Sequence, residues 1–344
     1  MKLDSRKLQI LQAIINDYII TAEPVGSRTV ARKYELGISS ATIRNEMSDL
    51  EEMGFLEQPH TSAGRVPSDK AYRLYVDRLM QVKSLGEQEA DYIKEFYEHK
   101  ILQLEQIIFT TAKVLSDITN YTSIAIAPQL SRVTIGHIQL VPVDREFALL
   151  VIVTSSGILK DTLIQIPQGI NGDFLNKVSG ILTEHFQNKT FSEIDMVDLS
   201  AIKREFLENQ KFFNSLVDVL TDSFRRSQKQ EVYLGGTTNI FNFPEYQDIL
   251  RARSFLNLLE EKDLLYQILA SPQDEGVKVS IGTENLQEEL RDCSIVTATY
   301  SLGNRVLGTI GVIGPTRMEY SRAVSVMDYM GKALSRYLTQ LYGA

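Results

Sequence analysis

A group of small and hydrogen-bonding side chains lies close together near the start of one predicted helix. Its members are Ser39, Ser40, Ala41, Thr42, Arg44, Asn45 and Ser48. An arginine can pair with guanine O6 and N7, an asparagine with adenine N6 and N7, and the methyl of alanine or threonine can touch thymine. This set of residues therefore suits a helix that reads base edges in the major groove of DNA.

The period of the same helix determines which of these side chains face outward. Ile43, Met47 and Leu50 lie at i, i+4 and i+7 and predict a buried stripe. At about 100° per residue, the opposite face holds small and polar groups. These are Ala41, Asn45, Ser48 and Asp49, flanked by Thr42 and Arg44. A solvated amphipathic helix is the alternative interpretation, and the neighbouring elements decide against it.

Those neighbours form a helix-turn-helix with a wing. The pattern predicts a helix over 4–20, a break at Pro24 to Gly26, a short helix ending near 34, a turn at Gly37 and the groove helix from Ser39 or Ser40 to about 53. A strand at 55–58 and a return at 66–67 predict a hairpin, whose polar tip can lie along the DNA backbone. The tip residues are His60, Thr61, Ser62, Gly64 and Arg65. Arg65 is expected to reach phosphate or the minor groove, and His60 to form hydrogen bonds rather than to bind a metal.

Charge and composition set outer limits on function. The chain has 344 residues and a formal net charge of −8, but residues 1–80 hold 11 Lys and Arg and 11 Asp and Glu, so the acidic excess lies in the rest. A neutral module can still bind duplex DNA, because only the contacting face must neutralise phosphates. No apolar stretch approaches the roughly 20 residues of a membrane span. The single cysteine, Cys293, excludes an intramolecular disulfide, and a cytoplasmic location is expected.

The remaining residues alternate between strand and helix patterns, which predict an α+β fold with an insertion. A long helical stretch at 87–120 is compatible with a dimer helix or with a scaffold helix. Strands are predicted at 123–127, 133–141, 147–153 and 159–166, helices near 171–188 and 198–227, and a strand at 231–234. Two helices near 245–260 and 262–270, strands at 277–281, 294–300 and 305–313, and a last helix over 320–342 complete the pattern.

Two separated motifs resemble one known family. SSATIRNEMSDLEEMGFLEQPHTSAGRVPSDKAYRLYVD is similar to the DNA-binding domain of the HrcA heat-inducible transcription repressors, and DCSIVTATYSLGNRVLGTIGVIGPTRMEY is similar to that family's C-terminal signature. The resemblance implies a winged-helix domain at 1–80 and a GAF-like domain in two parts, 87–166 and 231–344. It also implies an inserted, dimerising domain at 167–230.

The functional expectations follow from the same resemblance. It implies a homodimeric repressor that binds double-stranded DNA at the inverted-repeat element CIRCE, upstream of chaperone operons. It further implies that the GroE chaperonin helps the repressor reach its active form, so that heat relieves repression. Two identical recognition helices also require an operator with two-fold related half-sites. The rival hypothesis is a regulator whose GAF-like domain senses a small molecule, with the loop 314–318 as either a pocket edge or a tight turn.

No pattern supports an enzyme, a cofactor or a metal. Gly308, Gly311 and Gly314 lack dinucleotide-binding spacing and fall within a predicted strand, so close strand packing explains them better. The four histidines are scattered and have one cysteine among them, which gives no zinc pattern. No nucleophile, base and orienting acid can be argued from spacing.

Overall fold

The N-terminal elements follow the predicted helix-turn-helix and wing. The computed structural model has α1 at Ser5–Thr21, α2 at Ser27–Lys33, α3 at Ser40–Glu52, a hairpin of β1 at Leu56–Glu57 with β2 at Val66–Pro67, and α4 at Asp69–Leu74, continued by a π turn at Tyr75–Leu79. It describes residues 3–60, 63–98, 104–127, 134–155, 159–167, 169–190, 193, 209–228, 231–270, 276–303 and 305–342.

Capping side chains explain where the helices of this module begin. The Asp4 carboxylate accepts a hydrogen bond from the Lys7 amide at 2.9 Å, and this bond lowers the pKa of Asp4. The Ser68 hydroxyl accepts from the Ala71 amide in the same way at the start of α4. Tyr72 and Tyr75 on that helix are buried, so they pack in the core and do not present their rings to bases.

A five-stranded antiparallel sheet forms the centre of the body. Its order is β7 (Val232–Gly235), β3 (Thr122–Ile126), β10 (Arg305–Pro315), β9 (Cys293–Leu302) and β8 (Val277–Ile281). One face packs against α11, the last helix at Tyr320–Tyr342, and against α6 (Leu104–Thr119), while α5 (Glu87–Glu98) packs on α11. The other face packs against α9 (Ile249–Glu260) and α10 (Lys262–Ala270). The expected mixture of helix and strand is confirmed. The predicted helix over 87–120 corresponds to α5 and α6, and residues 99–103 lie outside the described part.

The glycines of β10 mark close packing, as predicted. A Cβ added to Gly308 would lie 2.5 Å from the Tyr300 hydroxyl oxygen, and one added to Gly314 would lie 2.6 Å from the Tyr121 ring. Such distances leave no room for a side chain. The motif is therefore a requirement of this sheet and not a phosphate-binding loop.

A second, three-stranded sheet lies apart from the central sheet in the strand pairing. It contains β4 (Ile135–Pro142), β5 (Phe147–Thr154) and β6 (Leu159–Gln165), with β5 between the other two. Helix α7 (Gly172–Phe186) packs on it, and α8 (Gln210–Gln228) follows. The chain leaves the central sheet after β3 and re-enters it at β7, the strand that pairs with β3. This topology favours an insertion that begins between Ile126 and Ile135, and the boundary expected at 167 stays a prediction.

Polar contacts dock the winged helix onto the body. The Arg317 guanidinium donates to the Ile19 carbonyl oxygen at 2.7 Å and pairs with the Glu245 carboxylate. Asp69 accepts from both the backbone amide and the hydroxyl of Thr283, at 2.8 and 2.9 Å. A Cβ on Gly282 would lie only 2.2 Å from the Asp69 carboxylate, so this contact requires a glycine. The recognition module is thus held by specific side chains and not only by its linker.

Arg73 adds a further docking contact. Its guanidinium donates to Glu284 and, at 2.7 Å, to the Val279 carbonyl oxygen on β8. Burial acts to raise the pKa of Glu284, but hydrogen bonds from Arg73 and from the Ile281 amide outweigh it and lower that pKa. The carboxylate is therefore kept charged and the docking contact is maintained down to acidic pH.

Candidate DNA-binding surface

The two faces of α3 are arranged as its period predicts. Ile43, Met47 and Leu50 are 0%, 4% and 0% exposed and pack into the core of the module. Five of the predicted contact residues on or beside the helix are exposed, namely Ser39, Ala41, Arg44, Asn45 and Ser48, and Ser40 and Thr42 are half-buried. The structure therefore brings the seven predicted base-reading residues together on the first three turns, on the side away from the core. Contact with DNA itself stays a prediction.

Ser39 and Thr42 also build the start of the helix. The Ser39 hydroxyl accepts from the Thr42 amide at 3.1 Å and shares a second hydrogen bond with the Thr42 hydroxyl at 2.9 Å. This N-cap satisfies one of the free amides of the first turn. The two hydroxyls therefore have a structural role, which leaves Arg44 and Asn45 as the long, uncommitted groups on this face.

Ion pairs inside the winged-helix module neutralise several of its charged side chains. Lys7 on α1 pairs with Glu46 and Asp49 of α3 at 2.6 and 3.0 Å. Lys33 at the end of α2 pairs with Asp17 at 2.5 Å. Each of these carboxylates is neutralised by a lysine, so its repulsion of an approaching phosphate is reduced. A neutral count over residues 1–80 is consequently compatible with a cationic contact surface.

The exposed cations that remain on the helix-turn-helix are arginines. Arg28, Arg32 and Arg44 are exposed, and none has a carboxylate partner among the described residues. Arg28 and Arg32 are four residues apart on α2 and share one side of that helix. This pair lies outside the set of residues predicted from the sequence. Their i, i+4 spacing around the buried Val30 is the signal that could have identified them.

The base of the wing is packed against the turn between α1 and α2. Val25 and Arg65 exchange two backbone hydrogen bonds, each of 2.9 Å. A Cβ on Gly64 would lie 2.5 Å from the Val25 carbonyl carbon and oxygen. Gly64 is therefore needed for this close approach, and that requirement explains the residue without any contact to DNA.

Arg65 forms an ion pair within the module, and its predicted contact with phosphate or the minor groove stays a prediction. Its guanidinium donates to Glu51, near the end of α3, with distances of 2.8 Å from Nε and 2.7 Å from Nη2 to the same carboxylate oxygen. Only 19% of the side chain is exposed. A phosphate would have to compete with Glu51 for Arg65. His60 is exposed beyond β1, and Thr61 and Ser62 lie outside the described residues.

Other kinds of site find little support in the part of the chain that is described. No three or more His, Cys, Asp or Glu residues there are grouped to hold a metal ion. No helix described here is long and apolar enough to cross a membrane. Cys293 is buried, and burial raises the pKa of its thiol to about 11, which disfavours the reactive thiolate.

Models of one protein family match both the N-terminal part and the C-terminal part of the chain. Residues 2–79 match the family model of the winged helix-turn-helix transcription repressor, HrcA DNA-binding, and residues 105–324 match the HrcA protein C-terminal domain. A crystal structure described as that of a hypothetical protein covers 99% of this chain and 100% of its own, with a TM-score of 0.77. At 24% identity it supports the fold alone.

Full-length relatives are more similar in sequence. The heat-inducible transcription repressor HrcA of Ruminiclostridium cellulolyticum is 47% identical over 345 residues, covering 99% of each chain. That of Alkaliphilus metalliredigens is 44% identical over 342 residues, covering 99% of this chain and all of the relative. The chain described here belongs to the HrcA family of heat-inducible transcription repressors and carries that family's DNA-binding domain at its N-terminus.

Proposed function

We propose that the chain binds a specific operator by inserting α3 into the major groove, with Arg44 and Asn45 as the principal base readers. The main support for this proposal is that both side chains are exposed on the face opposite the buried stripe. Neither forms an ion pair with another described residue of the chain. Ser40, Ala41, Thr42 and Ser48 surround them and complete the contact face. Arg28 and Arg32 on α2 neutralise backbone phosphates beside the groove. Such a protein acts in the cytoplasm, on the chromosome.

The functional unit is a homodimer, and the open face of the three-stranded sheet is its contact surface. Val141, Leu149 and Leu163 stand opposite one another across β4, β5 and β6, so they share one face. Val141 is 44% and Leu163 55% exposed. Packing against α7 covers the other face, where Leu140 and Leu150 are fully buried. This apolar patch, which shares its face with the polar side chains of His137 and Gln139, supports a surface that a second copy covers.

The operator of this dimer is the inverted repeat CIRCE, upstream of chaperone operons. The activity of the repressor depends on the GroE chaperonin, so that repression is relieved when heat occupies the chaperonin. The similarity to repressors named as heat-inducible supports this proposal. Because folded proteins are only marginally stable, a small shift in the folding equilibrium can change the active population several-fold.

Footprinting with purified protein tests the operator and its control together. The protein, with and without chaperonin, is incubated at increasing temperature with fragments from upstream of chaperone operons. The proposal requires protection of an inverted repeat that declines on heating and is restored by chaperonin. Protection that is insensitive to chaperonin would contradict the control mechanism but leave operator binding standing.

A further inference from the structure

A cavity of about 410 Å³ lies where the winged helix meets the body. Tyr18 of α1 forms one wall, and residues of the body form the others, including Tyr246, Phe255 and Thr316. This volume falls within the range of small-molecule sites, and domain junctions are common places for them. The loop after β10, which the sequence suggested as a pocket edge or a tight turn, contributes Thr316 and Arg317 to the lining.

The cavity has an apolar interior and an uncovered apolar rim. Tyr246 and Phe255 are buried, with their ring centroids 5.2 Å apart. Leu250, at the start of α9, also lines the cavity, yet its side chain is 75% exposed. An exposed leucine beside buried aromatic rings gives an apolar group of a ligand a surface to cover.

Charges of both signs surround this interior. The Arg317 guanidinium already has two partners within the protein, because it pairs with Glu245 and donates to the Ile19 carbonyl oxygen. Arg251 comes from α9, whereas Glu289 and Asp292 come from the segment before β9. None of these three has an ion-pair partner among the described residues. A carboxylate can be held by the arginine and an ammonium group by the two acids.

We propose that this junction cavity binds a small zwitterion with an apolar or aromatic side chain, of which an apolar amino acid is the simplest member, and that the bound molecule stabilises the docking of the winged helix on the body. Ligand binding in this cavity is coupled directly to the contact between α1 and the body. A ligand touching Tyr18 and Arg317 contacts both α1 and the residue that anchors α1 to the body. Because it binds the docked arrangement, it raises the stability of that arrangement by mass action.

Thermal unfolding of the full-length protein, without DNA, tests the proposal independently of operator binding. The probes are L-phenylalanine, L-leucine, phenethylamine, 3-phenylpropionate and N-acetyl-phenylalanine amide, each up to about 10 mM. We expect L-phenylalanine or L-leucine to raise Tm by at least about 2 °C in a saturable way. Phenethylamine and phenylpropionate lack one charge each, the amide lacks both, and all three should have much smaller effects.

Two variants connect the response to this cavity. Ser254→Trp fills the cavity from α9 and should abolish the rise in Tm. Arg251→Ala should raise the Kd for L-phenylalanine at least about tenfold, to the Kd that phenethylamine has for the wild-type protein. Arg253→Ala removes an exposed arginine of the same helix that does not line the cavity, and should bind as wild type. The proposal is overturned if neither amino acid raises Tm, if the uncharged amide matches L-phenylalanine, or if the Ser254→Trp variant still responds.

Discussion

At the scale of single residues, the proposal assigns specificity to the two long side chains without partners on the outward face at the start of α3. Arg44 and Asn45 are exposed, whereas Ser39 and Thr42 are occupied in capping the helix. The hydroxyls position the first turn. The arginine and the amide have the hydrogen-bonding groups that can distinguish base pairs.

Arg44→Ala and Asn45→Ala should each weaken specific operator binding by about 1–3 kcal/mol, while nonspecific binding changes much less. The reason is loss of base contacts without loss of core packing. Gel-shift titration on operator and on unrelated DNA measures both quantities, and equal Tm values show that the fold is intact. Wild-type operator affinity in both variants would contradict the assignment of this face.

Arg28→Ala and Arg32→Ala should weaken binding to every DNA sequence alike. Each change removes one phosphate contact, so the slope of log K against log salt should fall by about 0.9. Arg78→Ala, at an exposed arginine on the π turn, serves as a matched control and should keep the wild-type slope. A loss confined to the operator would mean that Arg28 and Arg32 read bases instead.

At the scale of elements, local patterns identified the helices and strands, but not their distant partners. The stripe of Ile43, Met47 and Leu50 follows from helical periodicity alone. The pairing of Arg65 with Glu51 depends on how the wing folds back onto α3, which no local pattern specifies. Likewise β3 pairs with β7, more than 100 residues later, so the alternating pattern of β4 to β6 did not indicate which sheet those strands join.

Gly64→Ala should destabilise the wing. The added Cβ would lie 2.5 Å from the Val25 backbone, and relieving this clash costs about 1–3 kcal/mol. Thermal unfolding measures the loss, which should be accompanied by weaker DNA binding. Gly180→Ala is the matched control, because that Cβ meets nothing within 4 Å in the middle of α7. It should be neutral or stabilising by up to about 1 kcal/mol. An unchanged Tm for Gly64→Ala would contradict the packing account.

At the scale of the whole molecule, the acidic body and the nearly neutral DNA-binding module perform different tasks. In the proposed complex one copy of α3 contacts one half-site, so specificity for an inverted repeat requires two copies of the chain. The open face of the three-stranded sheet is the proposed surface between the copies. The contacts of Arg317, Asp69 and Arg73 fix the winged-helix module relative to the body.

Leu163→Asp should convert the dimer to a monomer. Its carboxylate would be buried without a partner in the middle of the apolar interface, which is strongly unfavourable. Leu286→Asp changes a leucine that is 92% exposed outside this sheet, and should leave the dimer intact. Sedimentation velocity measures the mass of each variant. A dimeric Leu163→Asp protein would show that another surface joins the copies.

The most direct test is a footprint of the purified wild-type protein on DNA from upstream of chaperone operons, compared with the Arg44→Ala, Asn45→Ala double variant. We predict two protected half-sites related by two-fold symmetry, with centres about one helical turn or a multiple of it apart. The double variant should lose this protection at the same concentration. Protection without symmetry, or symmetric protection that survives in the double variant, would contradict recognition of an inverted repeat by two copies of α3.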